Sequence, residues 1–445
     1  LARLIADPRP TAAAAGADTL LHEAADVLQG TPMSTVFRGE PDFALLERMG
    51  VDAMSLGNHE FDFGIANLRE RLAQVSFPVL AANVSNADGT PFAGDAVIVT
   101  TPRHGLRVAL LGLVTADTRV TTHPHNVADL TFADPVATAA RYLPRLAAES
   151  DLVVVVSHSG VEVDREIAAL PGVDLVVGGH DQDLLEPPPV VGGVPVVQAH
   201  EWGEYLGEAT FAAGRGGDLR WAGNRYLRVT ADLPEDPEVA AFVGSYRARL
   251  GSELGKVVAT TAVRLDGQGR NQETNLGNVV ADALLLASGA DVAFINAGAI
   301  RASLEPGDIT LEELMTVLPF DNRLVVVRLT GAELRSMLEQ SLRDGGGGFL
   351  QVAGVRLRET AAGVEAEVGG AALDDAKLYD VATSDFLVAG GDGYEQALGK
   401  AMRETGYGLL DAVLRWIELQ PQPLDVAKDG RIELAREAAA LRDAA

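Results

Sequence analysis

The chain has 445 residues, with 36 Lys and Arg against 63 Asp and Glu, a formal charge of −27 and no cysteine. That length exceeds one comfortable core and predicts two or three domains, and a hydrophobic content of 47% excludes wholesale disorder. A polyanion of this size is repelled by nucleic acid phosphates and acidic lipid, and the missing cysteines exclude disulfides, thiolate metal sites and cysteine nucleophiles.

The chain opens at Leu1 without Met and without a signal-peptide pattern, and it reads as beginning inside an element. The expectation is a longer natural protein. The pattern predicts strands at Thr19–Leu21, Ala53–Leu56, Val79–Ala81, Val108–Leu113, Leu152–Val156 and Leu175–Val177. Helices are expected at Phe43–Met49, Ile65–Ala73 and Pro135–Ala148. Strands alternating with helices predict crossover connections and a largely buried sheet. Val194–Gln198 and Tyr205–Phe211 follow as a predicted hairpin. The Pro/acid segment Asp232–Pro237 marks a junction, with an amphipathic helix over Glu238–Leu254 after it. Beyond it, a helix at Leu276–Leu286, a strand at Val292–Asn296, a flexible loop at Gly345–Gly348 and a terminal helix from Ile432 are expected. The predicted division is 1–231, a linker at 232–255, 256–420 and a tail at 421–445. No apolar run reaches the roughly 18 residues needed to span a bilayer.

All eight histidines lie at or before position 200, so imidazole-based metal or proton chemistry belongs to the first half. Polar groups sit at the ends of four predicted strands. These are Asp26, the pair Asn58 and His59, His158 in Ser157–Gly160, and His180 in Gly178-Gly179-His180. In an open α/β sheet the carboxyl ends of the strands line the ligand crevice, where groups distant in sequence converge. One histidine at a strand end is more often a hydrogen-bonded loop residue than a ligand. Four such groups at four strand ends reverse that balance. A carboxylate, an amide oxygen and two imidazoles form a mixed O/N donor set that suits Zn, Mn, Fe or Co better than Ca or Mg. His22, His104, His123, His125 and His200 are assigned to surface or structural roles.

Gly57-Asn58-His59-Glu60-Phe61-Asp62-Phe63-Gly64, together with Ser157–Gly160 and Gly178-Gly179-His180, resembles the calcineurin-like metallophosphoesterase domain. More narrowly it resembles the 5′-nucleotidase/UDP-sugar hydrolase family. In the second half, Asn275–Asn278, Asn296–Arg301, Leu318-Pro319-Phe320 and Gly390–Tyr394 resemble that family's C-terminal nucleotide-binding domain. The similarity runs from Leu1 to about Trp416. It implies an α/β fold: an N-terminal metallophosphoesterase β-sandwich flanked by helices, plus an α+β C-terminal nucleotide-binding domain.

The resemblance also implies roles. Asp26 matches the metal-bridging aspartate, and Asn58, His158 and His180 match ligands of the second metal. His59 matches the histidine that stabilises the phosphoryl transition state, and Asp62 the carboxylate that orients it, although Asp62 could instead cap the following helix. Arg270, Asn296 and Arg301 match phosphate-holding positions, and Gly298 lets the backbone approach the substrate. Phe320 and Phe386 match a base-stacking pair, and Asp392 the carboxylate that accepts ribose hydroxyls. For Phe320 alone, core packing would be the better explanation, and Arg270 alone could be a surface charge. The implied reaction is hydrolysis of nucleoside 5′-monophosphates by attack of metal-bound water, with two divalent ions (Zn, Mn or Co) as cofactors. The substrate would lie between domains, in a secreted or periplasmic enzyme. No nucleic acid partner is expected, and the oligomeric state stays open.

Four departures accompany the match, one of them Asn296-Ala297-Gly298-Ala299-Ile300-Arg301 where Asn-Gly-Gly-Gly-Ile-Arg is usual, which adds two methyls near the phosphate. The family's first-strand Asp-x-His pair has no counterpart in this sequence. The bridging aspartate sits in Ala25-Asp26 where Gly-Asp is usual. After His180, Gln182 occupies a position where many members carry a second histidine, and it is taken as a weaker ligand. Hydrolysis of UDP-sugars or 2′,3′-cyclic nucleotides, a related sulfur-oxidation hydrolase, and a catalytically impaired nucleotide-binding homologue stand as alternatives.

Overall fold

The computed structural model describes residues 1–6, 12, 14–213, 219–251, 254–360 and 363–435. The chain divides into two compact units. One comprises Leu1–Leu28, Phe37–Thr122 and Asn126–Arg249; the other comprises Gln29–Val36, His123–His125 and Leu250–Ala445.

The first unit is built on two sheets. The larger takes its centre from Arg107–Val114, Leu152–His158 and Leu175–Val177, paired in parallel, with Val194–Val197 parallel beyond them and Ala96–Thr100 antiparallel at the other edge. Every residue of Leu152–His158 is buried. Four consecutive valines suit a strand covered on both faces, where β-branched side chains pack on the pleat. The strand runs two residues further than Val156, so His158 is its last residue rather than the first of a loop. The smaller sheet pairs His22–Glu23, Ala53–Ser55 and Val79–Leu80 in parallel. The first strand is thus displaced from the predicted Thr19–Leu21. Ala53, Leu80, Leu110, Val154 and Val156 form one core cluster. The helix Pro135–Glu149 begins where Asp134 accepts the Ala137 amide. It packs Ala139, Leu143 and Leu146 into another cluster.

The predicted hairpin between Val194–Gln198 and Tyr205–Phe211 does not form. Val194–Val197 pairs with Val190–Val191 and Leu175–Val177, whereas Tyr205–Ala213 pairs with Leu219–Arg228. The local pattern marked both as strands but carried no information on partners. The linker helix spans Pro237–Leu250. Arg249 stacks on Phe37 and Tyr246 at 4.3 and 4.6 Å, and Arg48 on Phe242 at 4.4 Å. These contacts fasten the helix to the first unit.

The second unit centres on a five-stranded sheet in the order Leu350–Ala353, Val292–Asn296, Leu378–Ser384, Arg323–Thr330, Met402–Gly408. Alternation along Val292–Asn296 sends Ala293 and Ile295 into one core with the helices Asn275–Ser288 and Leu409–Glu418. Val292 and Phe294 enter another core with the helix Gly331–Asp344. Ile432–Glu433 is a strand parallel to Val355–Thr360, not the start of a helix; the rest of the predicted terminal helix, 436–445, lies outside the described residues. Gly346–Gly348 forms a tight turn within the predicted loop. Among the described residues no helix is long and apolar enough to cross a membrane.

Candidate active site

Parallel pairing brings the carboxyl ends of several first-unit strands to loops 24–27, 56–62, 158–160 and 178–182. Donor atoms of Asp26, His158 and His180 lie within 4.8 Å of one another. Asn58 joins them, with its Oδ1 3.1 Å from His180 Nδ1 and its amide nitrogen turned to the Thr121 carbonyl at 3.4 Å. Gln182 follows on the same loop. Its backbone is left-handed (φ 64°), as is that of His180 (φ 85°).

The donor set fits a divalent cation. His158 donates Nδ1–H to the Ala24 carbonyl at 2.7 Å, which turns Nε2 towards the cluster. That Nε2 is buried without a hydrogen-bond partner, although it lies 2.9 Å from Asp26 Oδ2. Electrostatics agree. Burial disfavours a charged His158, yet the neighbouring Asp26 carboxylate overrides it and pushes the ring up to about 9. Burial acts upward on Asp26 too, but His158 and His59 hold it well below the usual carboxylate range. The site therefore calls for positive charge where these atoms meet, which a bound cation supplies. His180 is pushed down to about 4 by burial and by His158, so its ring is neutral and free to ligate.

Glu60, which sequence reasoning passed over, organises the cluster. Its carboxylate is fully buried and accepts the amides of Gly57, Asp26 and Val27 at 2.6, 3.0 and 2.8 Å. It ties the Asp26 loop, left-handed at Ala25 and Asp26, to the Asn58 loop. Gly57 is required there, because a Cβ would stand 2.3 Å from Asp26 Oδ1. Asp26 Oδ1 also accepts the His59 amide at 2.9 Å. Glu60 lay inside the recognised motif, which was the available signal.

His59 Nδ1 lies 2.7 Å from Asp62 Oδ2, and Asp62 Oδ1 accepts the Thr122 hydroxyl at 2.7 Å. Asp62 makes no cap hydrogen bond to the helix Gly64–Leu72, whose N-cap is Phe63, so the capping alternative fails. Thr122 is 60 residues from Asp62 and carried no sequence signal.

In the second unit a separate group assembles around Asn296. Its amide donates to Asp392 Oδ2 at 2.8 Å, and its buried Oδ1 has no partner. Asp392 takes a left-handed φ of 51°. Gly298 approaches Gly347 so closely that a Cβ on it would lie 3.2 Å from the Gly347 Cα, and the Arg270 guanidinium lies beside Gly347. Arg301 donates to the Gly298 carbonyl at 3.4 Å and stands 6.0 Å from the Phe320 ring. Phe386 is packed into the core under Gly391, where a Cβ would stand 2.4 Å from its ring.

Parallel strand ends that gather a carboxylate, an amide oxygen and two imidazoles are those of a calcineurin-like phosphoesterase. The model of that class matches residues 3–183, and the model of the 5′-nucleotidase C-terminal domain matches 257–400. A 5′-nucleotidase of Vibrio vulnificus is 30% identical, over 96% of this chain and 86% of that protein. The crystal structure of a 5′-nucleotidase precursor from Thermus thermophilus superposes with a TM-score of 0.86 at 31% identity, covering 94% of this chain and 90% of that one. The trifunctional nucleotide phosphoesterase YfkN of Bacillus subtilis is 33% identical over 84% of this chain, which spans only 30% of that protein's length. The chain belongs to the 5′-nucleotidase family of metal-dependent phosphoesterases.

Proposed function

We propose that the chain hydrolyses nucleoside 5′-monophosphates to nucleoside and phosphate. The observation that carries this reading is the convergence of Asp26, Asn58, His158 and His180 beside the His59–Asp62 pair. Those four side chains, with the Gln182 amide oxygen beside them, would hold divalent ions, which when bound would activate water and neutralise phosphate charge. Zn, Mn and Co suit the donor set best.

The protein's own groups do the rest. Asp62, braced by Thr122, accepts His59 Nδ1–H, and the ring in its protonated form would donate Nε2–H to a phosphoryl oxygen or give that proton to the departing ribose oxygen. Phosphoryl transfer rests on such alignment and charge stabilisation more than on covalent chemistry. In the second unit Arg270 and Arg301 supply guanidinium forks for an anion, and Asn296 and Gly298 shape the backbone around them. Asp392 offers a carboxylate oxygen to the ribose hydroxyls, and Phe320 offers a ring face to the base. Family membership supports this assignment and a location outside the cytoplasm.

Phosphate release from 5′-AMP with added Mn2+ or Co2+ tests the reading, with UDP-glucose, 2′,3′-cyclic AMP and a thiosulfonate ester in parallel. Turnover of 5′-AMP above the other three is the expected result. Binding of 5′-AMP without turnover, or preference for another ester, overturns it.

A further inference from the structure

The loop carrying His180 is held in an unfavourable backbone conformation by groups that no motif includes. His180 and Gln182 are both left-handed, and a non-glycine residue there is stable only where its surroundings over-determine it. Three anchors surround His180. Two residues before it, Gly178 packs on the carboxyl group of Asp164, whose Oδ2 would lie 2.3 Å from a Cβ at 178. Asp164 is fully buried, and neither of its oxygens has a hydrogen-bond partner. One residue after His180, Asp181 turns back to accept the Val161 amide at the start of the helix Val161–Ala168. That carboxylate fills the space beside Gly160, where a Cβ would meet its oxygens at 3.0 and 3.2 Å. Beyond it, the amides of Gln182 and Asp183 both point at the buried side-chain amide of Gln198, and with that amide oriented so that its oxygen meets the two donors they bond to it at 3.0 and 2.9 Å.

The helix Val161–Ala168 begins three residues after His158. It therefore links the two imidazole-bearing loops twice, through Asp164 reaching out and Asp181 reaching in. We infer that Asp164, Asp181 and Gln198 are positioning residues that hold His180 in ligating geometry beside His158. This inference rests on the assignment of Asp26, Asn58, His158 and His180 as the metal centre. Groups that orient a metal ligand without touching the ion typically contribute about 10–100-fold in metal affinity.

The test is titration of the full, metal-depleted chain with Co2+, following affinity and the visible absorption band, which reports ligand geometry directly. Asp181→Ala and Gln198→Ala are each expected to weaken Co2+ binding by about tenfold or more and to alter the band. Asp181→Asn keeps an acceptor for the Val161 amide and is expected to stay within about twofold of the parent. Gly178→Ala is expected to weaken binding, while Gly178→Ala with Asp164→Ala, which removes the collision, binds no more weakly than Asp164→Ala alone. Alanine variants at 181 and 198 that retain the parent's circular dichroism, affinity and band overturn the inference while leaving the metal centre standing. A parent chain that binds no Co2+ overturns the metal-centre assignment itself, and this inference with it.

Discussion

At the scale of single residues, Asp62 and Thr122 carry the sharpest expectation. Asp62→Asn preserves shape but replaces an acceptor-only carboxylate with an amide that can present a donor to His59 Nδ1, so the ring loses its enforced tautomer. Loss of general acid–base function is typically about 10²–10⁴-fold. We expect kcat on 5′-AMP to fall by about 10² or more, with Thr122→Val producing a smaller loss in the same direction and KM little changed; steady-state kinetics of both variants check this. A second residue acts on stability. Asp18 accepts the amides of Arg103 and His104 and the His104 ring at 3.0, 3.1 and 2.8 Å. Desolvation pushes its carboxyl up, but these bonds and one from Thr101 prevail and bring it down to about 2. Its folded pKa lies below its unfolded value, so its contribution is complete above about pH 4 and lost as pH falls towards 2. Asp18→Asn should therefore unfold more readily than the parent at pH 5, with the gap closing on acidification in parallel denaturation series.

At the scale of elements, the short strand Ile432–Glu433 depends on an ion-pair clasp. Arg431 donates to both oxygens of Asp282 at 2.7 and 3.1 Å, to Asp429, and to the Val352 carbonyl at 2.9 Å. Buried Glu273 accepts the amides of Asp429 and Ile432 and the Asn278 side chain. The guanidinium is largely buried, whereas Asp282 is 36% exposed, so solvent screens part of the pairing. Arg431→Ala is expected to cost about 1–3 kcal/mol through the lost charge-assisted hydrogen bonds. It should also expose the amides of 429–433 to hydrogen exchange, which mass spectrometry of peptides from that segment measures. The linker helix Pro237–Leu250 makes a complementary point. The predicted amphipathic face is weak, with Tyr246 its one buried residue, and it is aromatic and arginine stacking that assigns the helix to the first unit.

At the scale of the whole molecule, a net charge of −27 stands against anionic substrates. Local cations, Arg270 and Arg301 together with any ion taken up at the proposed metal centre, have to overcome it within a screening length of about 8–10 Å. Because the donor cluster exists only in the folded chain, cation binding is folding free energy. Free Mn2+ or Zn2+ at 100 times its dissociation constant should stabilise the first unit by about 2.7 kcal/mol. EDTA should remove that gain. Calorimetric scans with and without chelator decide it, and an unfolding midpoint indifferent to both would contradict the assigned cluster.

Sequence alone determined the chemistry and most of the elements. Buried strands such as Leu152–His158 declare themselves through uninterrupted valines. The motif Gly57–Gly64 brings Asn58, His59, Glu60 and Asp62 together within eight residues, so local order suffices to recognise it. Only the tertiary structure decided which strands pair, because period-two alternation marks a strand's faces and not its neighbour; Val194–Val197 and Tyr205–Ala213 look alike yet join different partners. Tertiary structure alone likewise placed Thr122, Asp164 and Gln198. Each works through a hydrogen bond or close approach across the fold, and such contacts are set by loop closure and packing, which leave no fixed spacing along the chain.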